Sequence, residues 1–401
     1  MIPRTLSTVA FSPIWNRQMR FILGPRQVGK TTLAKAKLKD EASTAFYYLW
    51  DLRSVRNRYK DNELFFTADN PPGKTGLWIC FDEIHKMPRW KNMLKGIYDA
   101  TGELYYFIVT GSAKLNLVRR AGDSLAGRYS AFHLLPLTLL EVNRNARIPN
   151  GPTAWMDDLT GSTEQSADSL QQLLRFGGFP EPFTQASQAF HRKWTRDYAD
   201  AVITEDIGSL TRITEREHIL DLFNLLPEMV GSPISYSSLA GHLEISPITV
   251  KNYLARLQDF YLAFSLKPYA RNIKRSLLKA PKFFLYDWSL IINASARFEN
   301  YVACELLARV SHWTDMTGEE FGLWYVRTKD KKETDFVITQ GKSPVLLVEA
   351  KLSDTRIDDH HLENAEALGN IPMIQVCHQP GVFSRHKGRA LRVSAARLFG
   401  C

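Results

Sequence analysis

Cysteine is scarce. Only Cys80, Cys304, Cys377 and Cys401 occur in 401 residues, and none stands in a C-x-x-C pair. That excludes a disulfide scaffold and a cysteine-built zinc site, and all four read as reduced thiols. Long apolar runs are missing too. No stretch approaches the roughly 18 residues that a spanning helix needs. The N-terminal MIPRTLSTVAFSPIWNRQMR lacks the continuous apolar segment of a secretory signal. The expectation is a cytoplasmic protein with no membrane partner. Acidic residues are the minority, 42 against 51 lysines and arginines, for a formal charge of +9. Such a surplus suits a polyanionic partner without demanding one. What is present is ample apolar material, 44% of the chain, enough for two to four domains at about 100–200 residues each.

Residues 18–141 alternate short apolar runs with helical patterns. FILG (21–24), LWICF (77–81) and LYYFIV (104–109) are continuously apolar, as parallel strands covered on both faces are. KTTLAKAKL and PRWKNMLKGIYDA lie between them, a βαβ rhythm. Residues 143–169 are polar and rich in turn formers, and read as a linker or long loop. Helical patterns follow. Around Ser237–Ala240 a short helix is expected, and Ser246-Pro247 offers an N-cap and N1 for a second, with an apolar strand after it. Two short helices and a β wing are a winged helix-turn-helix, which binds DNA in some proteins and packs against protein in others. Lys251, Arg256 and the basic stretch 271–279, with Arg271, Lys274 and Arg275, are its candidate phosphate contacts.

GPRQVGKT (24–31) fits G-x-x-x-x-G-K-[ST] between a strand and a helix. Gly24, Pro25, Arg26, Gln27, Val28, Gly29, Lys30, Thr31 and Thr32 are the expected ATP-binding residues. The two glycines allow close approach, Lys30 reaches the β and γ phosphates, and Thr31 ligands Mg²⁺. LWICFDEIH then brings Asp82 to a strand end, where it can hold Mg²⁺ through water, with Glu83 placed to polarise the attacking water. Thr110 or Ser112, at the end of the next strand, is a candidate γ-phosphate sensor. Arg128 could stabilise the transferred phosphoryl in cis or from a neighbouring copy of the chain, or be a structural arginine.

Near the C-terminus, ETDFVITQGKSPVLLVEAK (333–351) reads as a strand starting at Asp335, a turn at Ser-Pro, and a second strand. Period-two alternation puts Glu349 and Lys351 on one face, where Asp335 can join them. Two carboxylates can hold Mg²⁺ or Mn²⁺, and the lysine can orient water; Glu299 on an upstream helix is a candidate third ligand. A salt-bridged strand end is the plain alternative.

Eight blocks in order, GPRQVGKTT, FDEIHKMPRW, VTGSAKLNL, SLAGRYSAFHLLPLTLLEV, FGGFPEPF, FENYVACEL, ETDFV and LLVEAKLS, resemble a family of bacterial and archaeal AAA+-like ATPases with a characteristic C-terminal region. His85 stands where that family usually has Gln. The C-terminal region resembles the PD-(D/E)XK nuclease fold, through Asp335, Glu349 and Lys351. The expected architecture is α/β throughout: a P-loop AAA+-like ATPase domain with a parallel sheet (1–145), a linker and helical region (146–230), a winged helix (231–285) and a nuclease-like α/β domain (286–401). The expected function is ATP hydrolysis coupled to DNA, with a metal-dependent nuclease site. The alternative is a nucleotide-switched DNA- or protein-binding module whose nuclease-like fold is not catalytic. A homo-oligomer would suit Arg128 acting in trans. A helicase is disfavoured, because no second RecA-like half is present.

Overall fold

The computed structural model describes residues 2–69, 76–111, 125–144, 148–161, 164, 167–208, 213–270, 280–386 and 389–400. The chain divides into two compact units, Leu6–Leu135 and Met1–Thr5 with Pro136–Cys401.

In the first unit, β1 (Met19–Leu23), β2 (Tyr47–Leu49), β3 (Leu77–Asp82), β4 (Tyr105–Thr110) and β5 (Tyr129–His133) form one sheet in the order β2-β3-β4-β1-β5. All neighbours are parallel. The apolar runs become strands because helices cover both faces, leaving no solvated side to select alternation. All five residues of β1 are buried. Phe21, Phe66, Phe81 and Phe107 share one core with Trp50, and the Phe81 and Phe107 rings stack at 5.9 Å. A parallel sheet ends all its strands on one edge. The segments after β1, β3 and β4 therefore meet, which is where such sheets bind ligands.

In the second unit a helix at Tyr236–His242 is capped by Ser235, and a helix at Pro247–Asp259 by Ser246. An antiparallel pair follows, β6 (Ala263–Leu266) with β7 (Lys282–Leu285). Val250, Leu254 and Leu257 face inward from the second helix, while Lys251 is exposed and Arg256 half-buried. The long helix Ala294–Thr317 comes next. A six-stranded sheet is built from β8 (Phe321–Arg327), β9 (Glu333–Gln340), β10 (Ser343–Lys351), β11 (Met373–Cys377), β12 (Phe383–Arg385) and β13 (Ala390–Ser394), ordered β12-β13-β11-β10-β9-β8. β8, β9 and β10 run antiparallel in sequence, and β10, β11 and β13 run parallel. One face packs Val337, Leu347 and Met373 under the helix Asp359–Ala367, through Ala365.

Two local readings change. Residues 143–169 are not a plain loop: Pro152–Gly161 is a helix. Trp155 is fully buried against Trp313 at 5.8 Å, and its Nε1 donates to the Leu398 carbonyl. The turn between β9 and β10 is at Gly341-Lys342, not Ser-Pro. Gly341 takes the left-handed φ of 57°, whereas Ser343 and Pro344 already pair with β9, with a register shift before Leu346. Asp335 accordingly lies inside β9, not at its edge. Ser112 and the basic stretch 271–279 lie outside the described residues.

Candidate functional site

The loop after β1 begins at Gly24, with φ +145° and with a Cβ position only 2.0 Å from the Leu134 carbonyl oxygen. No side chain fits there, so the glycine is obligatory on steric grounds. Gly29 caps the helix Lys30–Asp40 at φ 103° and offers no side-chain cap. The first-turn amides thus have no internal acceptor, which makes this helix start an anion site. Val28 is buried beneath the loop, while Gln27 and Thr32 are exposed. Lys30 is buried, and its Nζ donates to the carbonyls of Gly24 (2.9 Å) and Pro25 (2.5 Å).

Asp82, at the end of β3, gathers hydroxyl groups from three elements. The Thr31 hydroxyl donates to Oδ2 at 2.8 Å, the Tyr47 hydroxyl donates to the same oxygen at 2.5 Å, and the Thr110 hydroxyl donates to Oδ1. Thr31, Asp82 and Thr110 are thus brought together. Tyr47, at the start of β2, belongs to no motif and was not foreseen. Glu83 adopts a left-handed φ of 59° next door. Its carboxylate is 3.6 Å from His85 Nε2 and 3.8 Å from Lys86 Nζ. Burial, and then the neighbouring Asp82, raise its pKa above the ordinary value.

Arg128 is elsewhere. It precedes β5, whose first residue pairs with Met19, whereas the phosphate loop follows Leu23. A five-residue strand at about 3.3 Å per residue separates the two sheet edges. Arg128 there pairs with Asp99 at 2.6 Å. The expectation of a role in cis is therefore corrected: it faces the opposite end of the sheet from the loop of its own chain.

In the second unit, Asp335 and Glu349 meet across β9 and β10. The Asp335 amide donates to Glu349 Oε2 (3.1 Å), and the Ala350 amide donates to Asp335 Oδ2 (3.0 Å). Lys351 Nζ sits 2.8 Å from Glu349 Oε1 and is about one-third exposed. Burial raises both carboxyl pKa values; Glu349 adds to the rise at Asp335, while Lys351 opposes it at Glu349. Glu299 does not complete a metal-ligand triad with them. It pairs with Lys282, a buried residue of β7 whose Nζ lies 2.5 Å from Glu333, 3.3 Å from Glu299 and 3.9 Å from Asp335. Burial works against this ammonium, yet the three carboxylates outweigh it and raise its pKa. Neither Lys282 nor Glu333 was legible beforehand, because a strand lysine before an apolar run looks like a solvated strand end.

Comparison with known sequences follows this geometry. The family model described as an AAA domain matches residues 16–143. This part of the chain is an AAA-type P-loop domain. Two domains of unknown function match downstream of the AAA domain, over residues 167–300 (DUF8612) and 294–393 (DUF4143). Curated relatives include an uncharacterized protein of Mycobacterium tuberculosis, 25% identical over 80% of this chain and 68% of its own length. Another, from Methanocaldococcus jannaschii, is 25% identical over 84% of this chain and 76% of its own length. Similar solved structures include the Aeropyrum pernix ORC1 protein in complex with DNA, with TM-score 0.30, 14% identity, and coverage of 76% of this chain and 92% of that one. A DNA polymerase III gamma subunit-related protein of Thermotoga maritima gives TM-score 0.29, 12% identity, and coverage of 64% and 99%. The AAA assignment rests on the family match and the loop geometry. Among the described residues, no helix is long and apolar enough to cross a membrane.

Proposed function

We propose that the chain binds and hydrolyses ATP with Mg²⁺ at the edge of the first sheet, and that the cycle acts on DNA held by the second unit. One observation carries the nucleotide part: Thr31 of the phosphate loop is already bonded to Asp82 of β3 at 2.8 Å. The donor set is hydroxyl and carboxylate oxygen, which suits a hard cation, and Thr31 and Asp82 would hold it. Mg²⁺ there would neutralise charge on the β and γ phosphates. Lys30 exchanges its loop carbonyls for phosphate oxygens. Glu83 orients and deprotonates the attacking water. Thr110, fixed on Asp82, reports the state of the γ position to β3 and β4. The test is binding and turnover in Lys30→Ala and Glu83→Gln chains: the first loses both, and the second keeps binding and loses turnover.

The DNA part is supported by the helices Tyr236–His242 and Pro247–Asp259 with the β6–β7 pair, an arrangement compatible with a winged helix, and by exposed Lys251. Asp335, Glu349 and Lys351 make up the nuclease-like site. In the active reading the two carboxylates hold Mg²⁺ or Mn²⁺ and Lys351 positions water. A second reading is favoured by Lys282, whose ammonium already occupies the side of Asp335 facing Glu299. There the fold holds DNA or a protein and nucleotide merely switches it. Plasmid incubated with and without ATP, Mg²⁺ and Mn²⁺ separates the two. Nicking that Asp335→Ala and Glu349→Ala each eliminate supports cutting; intact plasmid in every condition supports the switched module.

A further inference from the structure

His361 is almost completely buried, 1% exposed, and its Nε2 has no hydrogen-bond partner. A buried polar atom left without a partner costs about 1–3 kcal/mol and calls for an explanation. The ring is not there by default, because it is held from behind. Its Nδ1 is 2.9 Å from the Thr334 hydroxyl oxygen, which also accepts from the Asn364 amide at 3.0 Å. In the tautomer whose Nδ1–H donates to Thr334, Nε2 carries the lone pair, the arrangement that outer-shell groups impose on metal-binding histidines. Nε2 points at Glu349 Oε1, 3.5 Å away, and Asp358 Oδ2, 3.9 Å away. Asp358 stands at the N-cap of the helix Asp359–Ala367 but makes no side-chain cap bond, so its carboxylate is not committed to that helix. His360 completes the cluster: donor atoms of Asp358, His360 and His361 all lie within 4.8 Å of one another.

We propose that Asp358, His360 and His361, with Glu349 beside His361, form a site for a divalent transition metal such as Zn²⁺. The spacing fits this class of ion. Around a tetrahedral ion with bonds of about 2.1 Å, neighbouring donors lie roughly 3.4 Å apart; His361 Nε2 and Asp358 Oδ2 are 3.9 Å apart, and the His360 donor lies within 4.8 Å of both. Mixed imidazole and carboxylate donors select such an ion over Ca²⁺ or Mg²⁺, which prefer oxygen alone. Lys351 is the competitor, since it occupies Glu349 Oε1 at 2.8 Å, and its partial exposure lets it swing aside. This inference stands whether or not the neighbouring site cuts DNA.

The test is Zn²⁺ titration of the full chain without nucleotide, by calorimetry, with Co²⁺ as a visible-absorption probe. The expected result is saturable binding of a single ion that Asp358→Asn and His361→Gln each weaken at least about 10-fold. Glu363→Gln, at an exposed acid of the same helix that pairs with Lys332, should leave that affinity in place. Asp358 is exposed, so its replacement by Asn does not threaten folding and keeps the test decisive if the buried His361 variant unfolds. Zn²⁺ affinity unchanged by Asp358→Asn, or weakened as much by Glu363→Gln, would overturn the proposal. Plasmid cutting is a separate readout, so failure of the nuclease reading would not be mistaken for failure of this one.

Discussion

In the proposed account, Lys30 and Glu83 divide the labour of the nucleotide site. In that account Lys30 contributes a charge-assisted contact to phosphate of about 1.5–3 kcal/mol or more, so Lys30→Ala should lose ATP binding in a fluorescent-nucleotide titration. Glu83→Gln keeps the shape and removes the base. Turnover should fall by about 10²–10⁴ while affinity holds. Because burial and Asp82 raise the Glu83 pKa, the acid side of the turnover profile should begin at higher pH than an ordinary carboxylate would give. Hydrolysis is lost as pH falls through that raised value, since the protonated acid cannot accept the water proton. A pH profile of turnover at saturating ATP checks this; an acid limb at the ordinary carboxylate pKa would remove Glu83 from the role. In the trans reading, Arg128, at the far sheet edge, serves a neighbouring copy's site. Arg128→Ala chains should be inactive alone and regain turnover when mixed with Lys30→Ala chains, each supplying what the other lacks. Absence of that recovery would make Arg128 structural, through Asp99.

At the scale of elements, the helix Ala294–Thr317 carries a second titratable group in its buried face. Glu305 accepts from the Leu139 amide and the Tyr301 hydroxyl, both at 2.8 Å, and burial pushes it up to about 7 from 4.5. Between those values the folded chain binds more protons than the unfolded one. Its stability therefore falls as pH rises across that window and levels off above it. Glu305→Gln keeps both acceptor bonds without the charge. It should stabilise the protein at pH 8 by an amount on the order of 2 kcal/mol and leave it little changed near pH 4, as seen in urea melts. The helix Pro247–Asp259 makes a different prediction. If Lys251 touches phosphate, Lys251→Glu should weaken duplex binding for all sequences alike. It should also lower the salt slope by about 1.

Elements were legible where chemistry and order coincide along the chain. GPRQVGKT, the strand ending in Asp82, the Ser246-Pro247 helix start and the ETDFV and LLVEAK strands could all be read, because each is set by neighbours in sequence. Trp155 was missed because turn formers on both sides of a ten-residue helix outweigh one buried ring until its partner Trp313 is known. Tyr47, Lys282 and His361 were invisible for a related reason. Each reaches its carboxylate from another strand or helix, and nothing adjacent in sequence marks the meeting. The partner of Glu299 was invisible on the same ground: a lysine some 17 residues upstream reaches it from a strand.

As a whole, the chain joins an AAA-type unit to a second unit with a mixed sheet that carries a carboxylate pair. In the proposed account the units share one polynucleotide, and the first licenses what the second does. That account requires the nucleotide site to be a hydrolytic one. The most direct measurement is ATP binding and phosphate release on wild-type, Lys30→Ala and Glu83→Gln chains side by side, with Mg²⁺ and then with chelator. The account predicts Mg²⁺-dependent release by the wild type, neither binding nor release by Lys30→Ala, and tight binding without release by Glu83→Gln. Wild-type rates of release from Glu83→Gln, or binding that survives Lys30→Ala unchanged, would contradict it.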